Sequence, residues 1–243
     1  MNDEKMMSIN TTSNYSFSCT KLNSLGSSEY TLVTIVCDKS SSLSGYDRDL
    51  EKMIKAAVES CQKSARAENL MVRLVTFADD EEEVHGFKLL GNITINDYDG
   101  KINCSGCTNL IDTTYNAIEA TAAYGKKLMD QDYLTNAIVF VITDGMDNRS
   151  TYTASRIKKI VDKIRKEEIS LESIATVLIG MNGDSTVQSY LQDIKNDGDF
   201  TEYIEMGDVS PSKLAKLAGY ISRSTSSTSQ ALGTGGTSQS LSI

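Results

Sequence analysis

The sequence predicts an α/β chain: a doubly wound, mainly parallel sheet with helices on both faces. Two observations carry this. Compact β-branched runs such as Tyr30–Cys37 and Ala137–Thr143 are apolar at successive positions, as strands buried on both faces are. Between such runs lie stretches whose apolar residues recur at i, i+3, i+4 and i+7, the stripe of a helix with one face in a core. The 243 residues suffice for one domain with a sizeable core.

Residues 1–28 are polar and rich in Ser, Thr and Asn, and read as an arm that is at most partly ordered. The domain proper spans 29–222. It opens with the strand Tyr30–Cys37, followed by a Ser-rich loop and a helix striped by Leu50, Met53, Ile54, Ala57, Val58 and Cys61. Leu70–Phe77 reads as a second strand and Val84–Leu90 as a third, at an edge. The five acids Asp79–Glu83 between them suit a solvated hairpin tip better than a calcium site. The middle continues with a helix over Leu110–Leu128, the strand Ala137–Thr143, and a helix striped by Ile157, Ile160, Val161 and Ile164. Then come a strand over Ser173–Gly180, a helix through Val187, Tyr190, Leu191 and Ile194, and a strand over Phe200–Met206. A final helix starts at Ser210 with Pro211 in its first turn and stops near Ser222. Residues 223–243 form a Ser/Thr/Gly-rich tail. From Ser224 onward 14 of 20 residues are Ser, Thr or Gly and none is charged, which predicts flexibility and makes the hydroxyls candidate kinase substrates.

Composition narrows the function. The net charge of −9 disfavours nucleic acid and anionic membrane surfaces, and no run is long and apolar enough to span a bilayer. The N-terminus lacks a basic-then-apolar signal pattern, and the five cysteines form no disulfide framework; a cytoplasmic chain is expected. A single histidine, His85, excludes histidine-based metal clusters. Cys104-Ser-Gly-Cys107 is an isolated CxxC, for which neither a disulfide nor zinc is expected.

Ligands of an open parallel sheet bind beyond the carboxyl ends of its strands. There the sequence offers Asp38-Lys-Ser40-Ser-Ser42 after the first strand, Asp144-Gly145 after the Ala137 strand, and Thr108 ahead of the Leu110 helix. Two carboxylates, three hydroxyls and no imidazole make an oxygen set suited to Mg²⁺ or Mn²⁺. Asp49, Asp112 and Asp147 lie nearby in sequence and read as solvated loop and helix positions.

These pieces, DxSxS after the first strand, a threonine before a central helix and an apolar strand ending in Thr-Asp-Gly, resemble the metal-ion-dependent adhesion site (MIDAS) of von Willebrand factor A (vWA) domains. The resemblance covers roughly residues 28–222 and implies their Rossmann-like fold. It further implies that Ser40 and Ser42 ligate the ion directly and that Thr108 does so in one conformation. Asp38 and Asp144 would hold metal-bound waters or bind outside the first coordination sphere. The family's glycine directly before the threonine is replaced here by Cys107. The implied function is binding of a protein that supplies an Asp or Glu to the metal. The compact form and Ser-rich end look like bacterial or phage cytoplasmic members of the tellurium-resistance and stress-response type, which implies a kinase, phosphatase or AAA+ chaperone as partner. A structural assembly subunit with a vestigial site, and a Mg²⁺-dependent phosphoryl-transfer enzyme, are the alternatives. Against the enzyme stand the lack of a second acid beside Asp38 and of any P-loop, nucleophile elbow or Cys-His pair.

Overall fold

A computed structural model describes residues 5–167 and 171–236. Its strands are β1 (Met6–Asn10), β2 (Ser16–Thr20), β3 (Glu29–Asp38), β4 (Leu70–Phe77), β5 (Glu81–Leu89), β6 (Leu134–Thr143), β7 (Ile174–Gly180) and β8 (Glu202–Glu205). Its helices are α1 (Asp47–Gln62), α2 (Leu110–Met129), α3 (Ala154–Glu167), α4 (Ser185–Asp197) and α5 (Pro211–Gly233). The strands form one sheet in the order β1-β2-β5-β4-β3-β6-β7-β8. β3 pairs in parallel with β4 on one side and β6 on the other, while β5 runs antiparallel to β4.

Strand alternation divides the core into two layers. Val33, Ile35 and Cys37 of β3 join Ile138, Phe140 and Ile142 of β6 on the face covered by α1 and α5. Leu32 and Val36, with Val139 and Val141, face α2, α3 and α4. The α1 stripe predicted from spacing, Leu50 through Cys61, is buried throughout. Among the described residues no helix is long and apolar enough to cross a membrane.

Both ends depart from the sequence expectation. Within the predicted arm, β1 and β2 form an antiparallel hairpin that adds to the sheet through a Cys19–Phe87 pairing, so β5 is not an edge strand. Phe17 and Cys19 are buried by it. Its turn is tied to α2: Glu119 accepts hydrogen bonds from Thr12 Oγ1 (2.5 Å), Ser13 N (3.2 Å) and the Ser13 hydroxyl. Its strands are tied to Arg73, which is wholly buried on β4. The guanidinium donates to Tyr15 Oη (2.6 Å) and Glu83 Oε2 (2.9 Å), and Glu83 Oε1 accepts from Ser18 N and Oγ. The acidic run is therefore not a free solvated tip. Asp79 and Asp80 are exposed, whereas Glu81 and Glu83 lie half-buried on β5, and Glu83 balances the buried arginine.

At the other end α5 does not stop near Ser222. It continues to Gly233, with Ser224, Thr225, Thr228, Ser229 and Leu232 buried against α1 and the sheet. The physical reason is that these positions continue the stripe of Leu214, Leu217, Ala218 and Ile221 with residues small enough for close approach to the sheet. Asn136 Nδ2 of β6 donates to the Thr228 carbonyl (2.8 Å), and Arg66 Nε donates to Ser229 Oγ (2.8 Å). The buried hydroxyls at 224, 225, 228 and 229 are inaccessible to a kinase in the folded chain. The remainder of the predicted tail, 237–243, and the first four residues of the predicted arm lie outside the described residues.

Candidate metal-binding rim

β3 and β6 lie side by side in the sheet, and their crossovers run to opposite sides, from β3 through α1 to β4 and from β6 through α3 to β7. This is the topological switch point, where the loops diverge and open a crevice at the carboxyl ends. β3 ends at Asp38, while β6 ends at Thr143 with Asp144 next. The Cys37–Ile142 pairing brings the next pair, Asp38 and Thr143, side by side, and Thr143 Oγ1 donates to Asp38 Oδ2 (2.6 Å). Asp38 Oδ1 accepts from Ser40 N (2.7 Å), which turns the loop sharply and brings its serines back over the strand end.

Ser42 Oγ donates to Asp144 Oδ1 (2.8 Å) and lies 3.0 Å from Ser40 Oγ. Because the Ser42 proton is used on Asp144, Ser40 is the donor of that second bond. Thr108 arrives from the loop before α2. Its amide donates to Asn148 Oδ1 (2.9 Å), and its carbonyl accepts from Asn148 N (3.1 Å). A Cβ built on Gly145 would lie 3.6 Å from Thr108 Oγ1 and 4.0 Å from Ser42 Oγ, so both hydroxyls face the open space above that glycine. All five residues singled out in the sequence, Asp38, Ser40, Ser42, Thr108 and Asp144, thus border one rim. Asp38, Ser40, Thr108 and Asp144 are buried, and Ser42 is exposed, so the rim opens to solvent at Ser42.

The rim's electrostatics are one-sided. Burial pushes Asp38 up to about 6, against the hydrogen bonds from Thr143 and Ser40 and with the added repulsion of Asp144. Burial also raises Asp144, partly offset by Ser42. Neither carboxylate is in an ion pair among the described residues. Lys39, the cation beside them in sequence, turns to Glu82 at 2.6 Å. Two carboxylates held out of water without a cation, beside three hydroxyl oxygens and a cradle that a Cβ would enter, fit a hard divalent ion. Among the described residues no group of three or more His, Cys, Asp or Glu side chains converges as a metal cluster, so any ion held here relies on the hydroxyls.

Several supporting residues were not singled out in the sequence. Thr143 holds Asp38, Asn148 fixes the Thr108 backbone, and Asn182 Nδ2 donates to the Asp144 carbonyl (2.8 Å). The Cys107 departure is accommodated by Gly106, which takes the left-handed turn (φ 84°) one residue earlier, while Cys107 N donates to Asp79 Oδ1 (3.1 Å). Asp147 and Asp112 brace loops. Asp147 Oδ2 accepts from Ile111 N (2.8 Å) at the start of α2, and Asp112 accepts from Thr151 and Tyr152 amides. Asp49 pairs with Lys52 on α1.

His85 is not at the rim. It is buried on β5, with Nδ1 2.9 Å from the Gly86 carbonyl and Nε2 2.9 Å from Tyr98 Oη. The carbonyl can only accept, so Nδ1 carries the proton and Nε2 accepts from the tyrosine. Desolvation, against the Gly86 bond, pulls its pKa down to about 4. The unfolded chain, titrating near 6.5, binds the extra proton first, so the stability owed to neutral His85 is complete above about 6.5 and lost as pH falls towards 4. The stability advantage of wild type over His85→Gln should shrink by roughly 3 kcal/mol across that window, read from urea unfolding at pH 7 and pH 4. A constant difference would contradict the buried neutral imidazole. The opposing effects of Asp38 and Glu81, both raised by burial, cancel in this comparison.

No family model and no curated protein matches the sequence. Solved structures match the fold. The PilB minor pilin from Streptococcus sanguinis superposes with a TM-score of 0.60 at 16% identity, covering 84% of this chain and 63% of the pilin. The pilus adhesin SpaC from Lactobacillus rhamnosus GG gives 0.57 at 12% identity, covering 84% and 31%. Proximal thread matrix protein 1 from the mussel byssus, described with a zinc-occupied MIDAS motif, gives 0.51 at 17% identity, covering 82% and 46%. The chain therefore spans between about a third and two thirds of the length of these structures. What it shares with them is the fold, a vWA-like, Rossmann-type α/β architecture.

Proposed function

We propose that this chain is a metal-dependent protein-binding module whose ion is held at the rim by Ser40, Ser42 and Thr108, with Asp38 and Asp144 behind them. The observation that carries this is the pair of buried carboxylates that, among the described residues, has no ion-pair partner at the switch point. A bound divalent ion, poorly neutralised by neutral hydroxyls, would accept an Asp or Glu from a partner. Ser42 stands at the open side where such a group would enter, and Thr143 and Ser40 N keep Asp38 oriented below. The oxygen-only set favours Mg²⁺ or Mn²⁺; the zinc of the byssus protein's MIDAS makes zinc the comparison ion. Non-catalytic binding is preferred to phosphoryl transfer because both rim acids are engaged, Asp38 by Thr143 and Ser40 and Asp144 by Ser42, and the neighbouring Lys39 is engaged by Glu82. A cytoplasmic stress-response or assembly adaptor is the setting proposed with it, in keeping with five free thiols.

Calorimetric titration with Mn²⁺ tests the reading. Wild type should bind one ion, and Asp144→Ala and Ser42→Ala should each weaken it roughly 10–100-fold with unchanged circular dichroism. Equal affinities in all three proteins would rule the rim out. Partner capture should likewise be lost in EDTA.

The CxxC thiols are set against metal and redox chemistry. Burial, then Asp47, raises Cys104, and Asp79 raises the exposed Cys107. Cys107 should react with iodoacetamide at pH 7.5 more slowly than free cysteine, and faster in Asp79→Asn. Equal rates in the two proteins would remove Asp79 as the cause.

A further inference from the structure

A second concave surface lies on the α2–α3 face, sharing no residue with the rim. It is a groove of about 360 Å³ with an apolar floor of Tyr115, Ala122, Ala123, Ile160 and Ile164. Its lips are cationic: Lys126 on α2, and Arg156, Lys159 and Lys163 on α3. In a chain of net charge −9 this is a local inversion of sign. Its acid, Glu119, is held by Thr12 and Ser13 of the hairpin turn, so it is committed within the fold. Arg156 is stacked 3.8 Å over the Tyr152 ring and 4.8 Å over Tyr115, which fixes a guanidinium and two aromatic faces at one end. Lys126 is shared with Asp130, whereas Arg156, Lys159 and Lys163 are in no ion pair among the described residues.

We infer that this groove docks an extended acidic segment of a partner protein, in which Asp or Glu alternates with apolar residues. The alternation follows from the geometry. Lys159 and Lys163 are one helical turn apart, roughly 6 Å along the axis. Every second residue of an extended strand recurs at roughly 6.6 Å, so its acids match the lysines while the intervening apolar side chains meet the floor. A single-headed amphiphile would need cations at one end, whereas Arg156, Lys159 and Lys163 follow one another along α3. The groove's volume sits at the low end of the roughly 300–1,000 Å³ of small-ligand sites, which suits a single extended segment.

The test is fluorescence anisotropy with a labelled octapeptide of alternating Glu with Leu and Ala, compared with peptides in which Leu is replaced by Ser or Glu by Lys. The parent peptide should bind, more weakly as salt rises, and unchanged by EDTA. Both replacement peptides should bind at least tenfold more weakly. So should the parent peptide to the Lys159→Glu/Lys163→Glu double variant, whose exposed positions leave melting unchanged. Equal binding of the Ser peptide, or of the double variant, would overturn the inference. Loss of binding in EDTA would move the peptide to the rim, and displacement by dodecanoate with the same charge dependence would assign the groove to a small amphiphile; either result overturns it.

Discussion

Truncation after Arg223 should destabilise the domain by roughly 4 kcal/mol or more, although 14 of the 20 deleted residues are Ser, Thr or Gly. Leu232 is buried, and burying a leucine stabilises by about 1.5–3 kcal/mol. Asn136 loses the Thr228 carbonyl and Arg66 loses Ser229, each a hydrogen bond with a net value of about 1 kcal/mol and more when a buried group is left without a partner. Domains hold only about 5–15 kcal/mol in all, so the loss is a large fraction. For a chain of this size it corresponds to a fall of roughly 8–16 °C in melting temperature. A truncated protein that melts with wild type would mean the last turns of α5 contribute nothing to the fold.

Gly86→Val should release the N-terminal hairpin. A Cβ at this glycine would lie 1.8 Å from the Ser18 carbonyl oxygen, a backbone atom that moves only if β2 moves. Release exposes Phe17 and Cys19 and removes Tyr15 from Arg73 and Ser18 from Glu83. Burial of one aromatic is worth about 1.5–3 kcal/mol, and a hydrogen bond to a charged group about as much, giving a loss of roughly 3–6 kcal/mol. Proteolysis within residues 5–20 should accelerate in parallel with the drop in urea midpoint. Retention of slow amide exchange in β1 and β2 would show that the strand can shift without undocking.

Wherever the chain declares itself by local period, the sequence was enough. The stripe of α1, Ile157, Val161 and Ile164 of α3 and the apolar runs of β3 and β6 are buried as their spacing required, with Ile160 only partly buried, because burial of one face depends on residues three, four or two apart. The oxygen donors were legible for a related reason. Each sits at or just beyond a strand end or before a helix start, where polar side chains interrupt the apolar pattern.

Both chain ends were misjudged on average composition. β1 and β2 lie in a polar stretch, but Met7, Ile9, Phe17 and Cys19 pack on the core, and the hairpin is further tied to Arg73, an arginine in the middle of an apolar strand. That residue was the one signal in the sequence that something polar must cover it. The end of α5 hides its stripe in small hydroxylated residues, whose value lies in fitting closely against Asn136 and Arg66, partners 92 and 163 residues away in sequence. The sequence by itself determined the alternation of strands and helices and the identity of the rim oxygens, since those follow from neighbours along the chain. Only the tertiary structure decided that β3 and β6 lie side by side, that the hairpin joins the sheet, and that α5 runs on to Gly233. Each of these rests on pairing between distant segments, where a buried charge or a small residue gains its stabilising effect only from the surface it meets.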